Sequence, residues 1–101
     1  MKKLILSTLF LAASFTTMAQ VGVGTTDPKA SLDVVGIPGT TTVADGIIAP
    51  RLTGEQLRLK NGAYSALNNE GTIVYVTLPD GSPAGKTVNV TKIGYYYYDA
   101  N

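Results

Sequence analysis

From Val21 onward the apolar residues come in short runs cut apart by glycine and proline. All eleven glycines and all five prolines lie in this part of the chain. The pieces "VGVGTTDP", "ASLDVVG", "GIIAPRLT", "TIVYVTLP", "KTVNVT" and "IGYYYYD" have the length and punctuation of strands joined by turns. "TIVYVTLP" (residues 72–79) is apolar on both faces, which predicts a central strand. "KTVNVTKIGYYYYD" (86–99) predicts the later part of the same sheet, with the alternating β-branched "VNVT" as strand. In the tyrosine run, Tyr95 and Tyr97 face one way and Tyr96 and Tyr98 the other. One pair is expected on the core. The other is a binding surface, an intersubunit contact or a wet sheet face, and tyrosine suits all three because its ring buries area while its hydroxyl stays hydrated.

One helix is expected. Thr53 caps it, Gln56 three residues later completes a capping box, and Leu52 and Leu57 occupy the staple positions. The run "GEQLRLKN" then ends at Gly62, where a left-handed cap is favoured. Two turns of helix cannot stand alone, so Leu57 must dock on a sheet. "AYSALNNEG" (63–71) is expected to carry a further helical turn. These elements predict an α+β fold that is mostly β. Short strands occupy residues 20–38, a Thr-rich linker residues 39–46, and a small antiparallel sheet with one short helix residues 47–101. The closing "YYYYDAN" leaves a strand at an edge with a turn and nothing to pair. That predicts either a chain cut short or a strand supplied by a partner.

The first residues change the setting. Lys2 and Lys3, then "LILSTLFLAASF", then "TTMAQ" form a charged, an apolar and a small-residue region, the layout of a secretory signal peptide. It covers residues 1–19, with cleavage after Ala19. The apolar stretch is too short for a membrane span, so no span remains after cleavage. The expected location is exported, extracellular or on the outer cell surface. There is no cysteine, so no disulfide helps a chain close to the lower size limit for a self-sufficient core. Stability must come from packing or from association with other chains.

Composition also removes most chemistry. Histidine and cysteine are absent, and with them the commonest general base, zinc ligands and thiol nucleophiles. Six basic residues from Lys29 to Lys92 face seven acidic ones from Asp27 to Asp99. With no basic patch, nucleic acid is not an expected partner. "PDGSPAGKT" (79–87) imitates a phosphate loop, but Asp80 stands where the first glycine is needed and Pro83 removes a donor. "VGVGTT" has Gly-x-Gly without a preceding strand, and Asp27 occupies the third glycine position. The acids sit singly, mostly beside glycine or proline, as turn formers do. The expectation is a non-enzyme without catalytic residues, metal or cofactor.

"VGVGTTDPKASLDVVG" (21–36) resembles a "GIGTT-x-P-x-x-x-LDV-x-G" element of exported bacterial surface proteins and phage tail-fibre-like proteins. Gly22, Gly24, Thr25, Thr26, Pro28, Leu32, Asp33, Val34 and Gly36 carry the match. The resemblance implies a short trimeric fibre or stalk segment over residues 20–38 and transfers no catalytic residue. In proteins of this kind the tyrosine run is followed by a turn and a Trp-containing strand, and this chain has no Trp. The expected function is a structural or adhesive component of a surface or tail-fibre-like assembly, acting as a homotrimer. The alternative is a monomeric module that binds a glycan, peptide or surface protein through exposed tyrosines. The candidate interaction surface is Tyr95, Tyr96, Tyr97 and Tyr98.

Overall fold

The computed structural model describes residues 19–101; the signal peptide expected over residues 1–19 lies outside the described residues but for Ala19. The chain divides into two compact units, one ending at Gly46 and the other running Ile47–Asn101.

The first unit contains strands β1 (Val21–Val23) and β2 (Leu32–Val34), which pair in parallel. Val21 lies across from Leu32, Gly22 from Asp33 and Val23 from Val34. The Val21 amide donates to the Ser31 carbonyl (2.8 Å) and the Val35 amide to that of Val23 (2.9 Å), which fixes the register at both ends. Residues 37–46 form turns, with the Thr40 amide donating to the Ile37 carbonyl.

The second unit is a three-stranded sheet with one helix. Its strands are β3 (Arg51–Leu52), β4 (Ile73–Val76) and β5 (Gly94–Tyr97), in the order β3-β4-β5. The pairing of β4 with β5 is antiparallel, whereas β3 runs parallel to β4, so the sheet is mixed. Parallel neighbours need a crossover. Helix α1 (Gly54–Leu59), the 3₁₀ turn Asn61–Ala63 and the turns that follow it provide one. Thr53 caps α1 as its sequence predicts: Thr53 Oγ1 accepts from the Gln56 amide (3.1 Å), and Gln56 Oε1 accepts from the Thr53 amide (2.9 Å). The core is small. Leu57 of α1 packs with Val74, Val76 and Val90, and Leu52, Tyr64 and Tyr96 close in around them.

Two local expectations give way. "VNVT" is not strand: Gly85–Thr87 is a 3₁₀ turn, and Thr87 and Val90 are buried while Val88 is exposed. The spacing of those two inward residues is three, the period of a 3₁₀ turn rather than a strand. Gly62 is not a left-handed cap, because α1 ends at Leu59 with Lys60 near φ −90° and runs straight into the next 3₁₀ turn. "AYSALNNEG" does carry a single further turn, in which the Asn69 amide donates to the Ser65 carbonyl four residues back (3.0 Å).

Gly54 opens α1 although glycine is a poor helix former. A Cβ there would stand 2.6 Å from the Asp80 amide nitrogen, and the Gly54 amide donates to the Leu78 carbonyl (2.8 Å). The same approach brings Asp80 to Arg58, whose Nε donates to Asp80 Oδ2. The Asp80 side chain is 6% exposed and that of Arg58 31%. This hydrogen bond, with support from the Ser82 amide, holds the Asp80 carboxyl below its ordinary value of 3.8. A depressed carboxyl binds protons less readily when folded, so its contribution is present above the ordinary value and is lost as pH falls through the depressed one. Asp80→Asn is therefore expected to lower stability at neutral pH and to flatten its decline below about pH 4. Urea midpoints of both proteins between neutral and acidic pH would show the difference, and parallel curves would contradict it.

Candidate functional site

Two surfaces stand out, one in each unit. In the first unit, residues paired across β1 and β2 share a face. Val21, Val23, Leu32 and Val34 form one face, and Gly22 and Asp33 the other. The glycine face is closed by the chain's own loop, since a Cβ on Gly22 would lie 2.5 Å from the Thr25 carbonyl oxygen. Thr25 Oγ1 accepts from the Asp27 amide (3.1 Å), and Asp33 Oδ2 accepts from the Lys29 amide (2.8 Å). Gly24 has φ 75°, and a Cβ there would meet the Val35 carbonyl oxygen at 2.7 Å. Gly36 lies against Asp45, whose Oδ1 accepts from the Ile37 amide (2.9 Å). Pro28 is half-buried and Thr26 exposed.

The spacing of glycine, threonine and aspartate thus builds a loop that covers one side of the ribbon. The apolar side is left open: Val21, Val23 and Leu32 are each more than half exposed, and no residue from 19 to 46 is buried.

In the second unit the sheet also has two unlike faces. Val74, Val76 and Leu52 point to the core beside Tyr96. Tyr98, just past β5, turns the same way and meets Tyr64 at a 49° tilt, with 5.4 Å between ring centroids. The outward face carries Ile73, Tyr75, Tyr95 and Tyr97, with Arg51 at the β3 side. Tyr75 and Tyr95 meet edge to face at 4.9 Å. Ile73, Tyr95 and Tyr97 are 54%, 59% and 70% exposed. The four consecutive tyrosines therefore split, with Tyr96 and Tyr98 serving the fold and Tyr95 and Tyr97 left outside. Ile73 and Tyr75 join this surface although nothing in the tyrosine run points to them. The signal was the two-faced apolar pattern of "TIVYVT", of which the chain's own core covers only one face.

The "AGKT" stretch has a structural use. Lys86 Nζ donates to the Asn61 carbonyl (2.8 Å) and to that of Tyr64, and the Lys86 amide donates to Asn61 Oδ1 (3.1 Å). The ammonium thus satisfies carbonyls at the two ends of the 3₁₀ turn that follows α1. Gly85 has φ 60°, and a Cβ there would crowd Asn61 Oδ1 at 3.0 Å. Beside this staple lies a cleft of about 280 Å³ lined by Tyr64, Tyr96, Tyr98, Asn61 and Asn89 among others. Among the described residues no cluster of acidic side chains could hold a metal ion, and no helix is long and apolar enough to cross a membrane.

A protein family described as a phage tail like trimerisation region matches residues 22–101. No curated protein and no solved structure matches the chain.

The ribbon geometry predicts a size limit at Gly22. Gly22→Ala puts a methyl group into the Thr25 carbonyl and is expected to cost roughly 1–3 kcal/mol, the range for overpacking a closed site. Thermal unfolding followed by circular dichroism would measure it, and an unchanged midpoint would show that the loop does not close over that face.

Proposed function

Since the chain belongs to the phage tail like trimerisation family, we propose that it is an exported, non-catalytic structural segment of a surface or tail-fibre-like assembly, working as a homotrimer. The observation that carries this reading is the uncovered apolar side of the β1–β2 ribbon. A two-stranded sheet is at best marginally stable alone in water, and parallel pairs occur almost only where both faces are covered. Here the loop covers one face, and among the described residues nothing in the unit covers the other. A second and third copy supply the missing cover without any new element, which is how closed symmetric oligomers bury a shared patch. The "KK…LILSTLFLAASF…TTMAQ" opening supports export, and a trimeric stalk on an exported chain is an adhesive or scaffolding part rather than a catalyst.

The alternative, a monomeric glycan- or peptide-binding module, draws support from the tyrosine-lined cleft. At about 280 Å³ it falls just below the span of ligand sites, roughly 300–1,000 Å³, and it leaves the ribbon face unexplained. The trimer accounts for more of the chain.

The test is the solution mass of the secreted protein by light scattering after size exclusion. The expected result is three chains per particle at micromolar concentration. Val23→Asp, which puts three carboxylates into the joint, is expected to reduce the particle to single chains, because each buried ion costs several kcal/mol. A folded wild-type monomer would overturn the proposal.

A further inference from the structure

We infer that the outward face of the β3-β4-β5 sheet is a second subunit interface, and that three copies of this face meet one another at the three-fold axis. This rests on the trimer reading above but locates a contact that the ribbon does not imply. The family match runs to residue 101, so this sheet belongs to the region described as trimerising, and the partner that covers it is another copy of the chain.

The composition of the face fits that partner. Ile73, Tyr75, Tyr95 and Tyr97 form a continuous patch across the β4–β5 pairing, because Ile73 lies opposite Tyr97 and Tyr75 opposite Tyr95. The patch holds no carboxylate, and Arg51 at its border is the one charged residue on the three strands. The exposed side of α1, by contrast, carries Glu55 and is followed by Lys60, as a solvated face does. Tyrosine is enriched at the centre of interfaces. It buries a large ring at the cost of fixing two torsions, and the edge-to-face contact of Tyr75 with Tyr95 already fixes part of that geometry. Nor does the chain's own fold use these rings, since Tyr96 and Tyr98 take the inward positions.

The same residues point to an axial arrangement. A ring of head-to-tail contacts needs two different complementary patches on each subunit. In residues 47–101 the other large exposed apolar side chains are dispersed: Leu59 on α1, Leu67 and Leu78 in turns, Val88 in a loop, Ile93 just before β5, and Ile47 and Ile48 leading into β3. Within residues 47–101 this face is the one continuous uncharged apolar patch, and three like faces can all touch one another only around the three-fold axis.

Single-cysteine linking tests this. The chain has no cysteine, so Ile73→Cys, Tyr97→Cys and Glu55→Cys each carry one thiol. Side chains that meet their own copies near an axis can be joined by a short bismaleimide. The expected result is covalent pairs from Ile73→Cys and Tyr97→Cys, and single chains from Glu55→Cys, on a denaturing gel. If either sheet substitution instead releases folded monomers while Glu55→Cys remains a trimer, the face is shown to hold the subunits together, which also supports the inference. Single chains from Ile73→Cys and Tyr97→Cys in particles that keep trimer mass would overturn it and leave the trimer intact. A wild-type monomer would overturn the trimer itself and this interface with it.

Discussion

The constraint on which the rest depends is the shortage of internal cover for apolar surface. The second unit packs Leu57, Val74, Val76 and Val90 into a core in which Val76 alone is completely buried. The described part of the first unit buries nothing. Fixing a residue's backbone costs roughly 1–2 kcal/mol, and burial returns about 25 cal/mol per Å² of apolar surface removed from water. A ribbon whose valines and leucine remain half in water cannot recover that cost within one chain. The apolar faces make physical sense as halves of joints.

The hydrogen bonds and glycines act to shape those faces rather than to supply the missing stability. Gly22 and Gly24 let the loop lie directly on one side of the ribbon, and Asp33 and Thr25 tie the loop down. The apolar side is therefore presented in one orientation. In the second unit, the Arg58–Asp80 pair holds the loop after β4 against α1, and Lys86 holds the next loop against the end of the helical segment. With the helix side of the sheet closed in this way, the outward tyrosine side is the one left free. An exposed apolar patch on a protein is an association site or an aggregation hazard, and a fixed geometry favours the first.

Much of this was legible in the chain. The capping box at Thr53 and Gln56 is local chemistry with fixed spacing, so the sequence showed it directly. "TIVYVT" announced a central strand because its two apolar faces suit nothing else. The resemblance to phage tail-fibre-like proteins agrees with the family match, which places the chain among phage tail like trimerisation regions. What failed did so for tertiary reasons. "VNVT" alternates like a strand, but the pinning of Lys86 to the Asn61 and Tyr64 carbonyls forces a tight turn there. The parallel β3 could not be foreseen, since only two of its residues pair and the crossover that permits it is one short helix followed by turns. Which tyrosines face outward depends on register, and register follows from Val74 and Val76 taking the core. The tyrosine run itself is silent on that choice.

The central claim is that folding and association are one event, and the most direct test is the dependence of thermal unfolding on protein concentration. If copies of the chain supply the missing cover, the unfolding midpoint must rise with each tenfold increase in concentration, by mass action. A midpoint that stays constant from low to high micromolar protein, with a cooperative transition throughout, would mean that a single chain is stable by itself and that its open faces are not subunit joints.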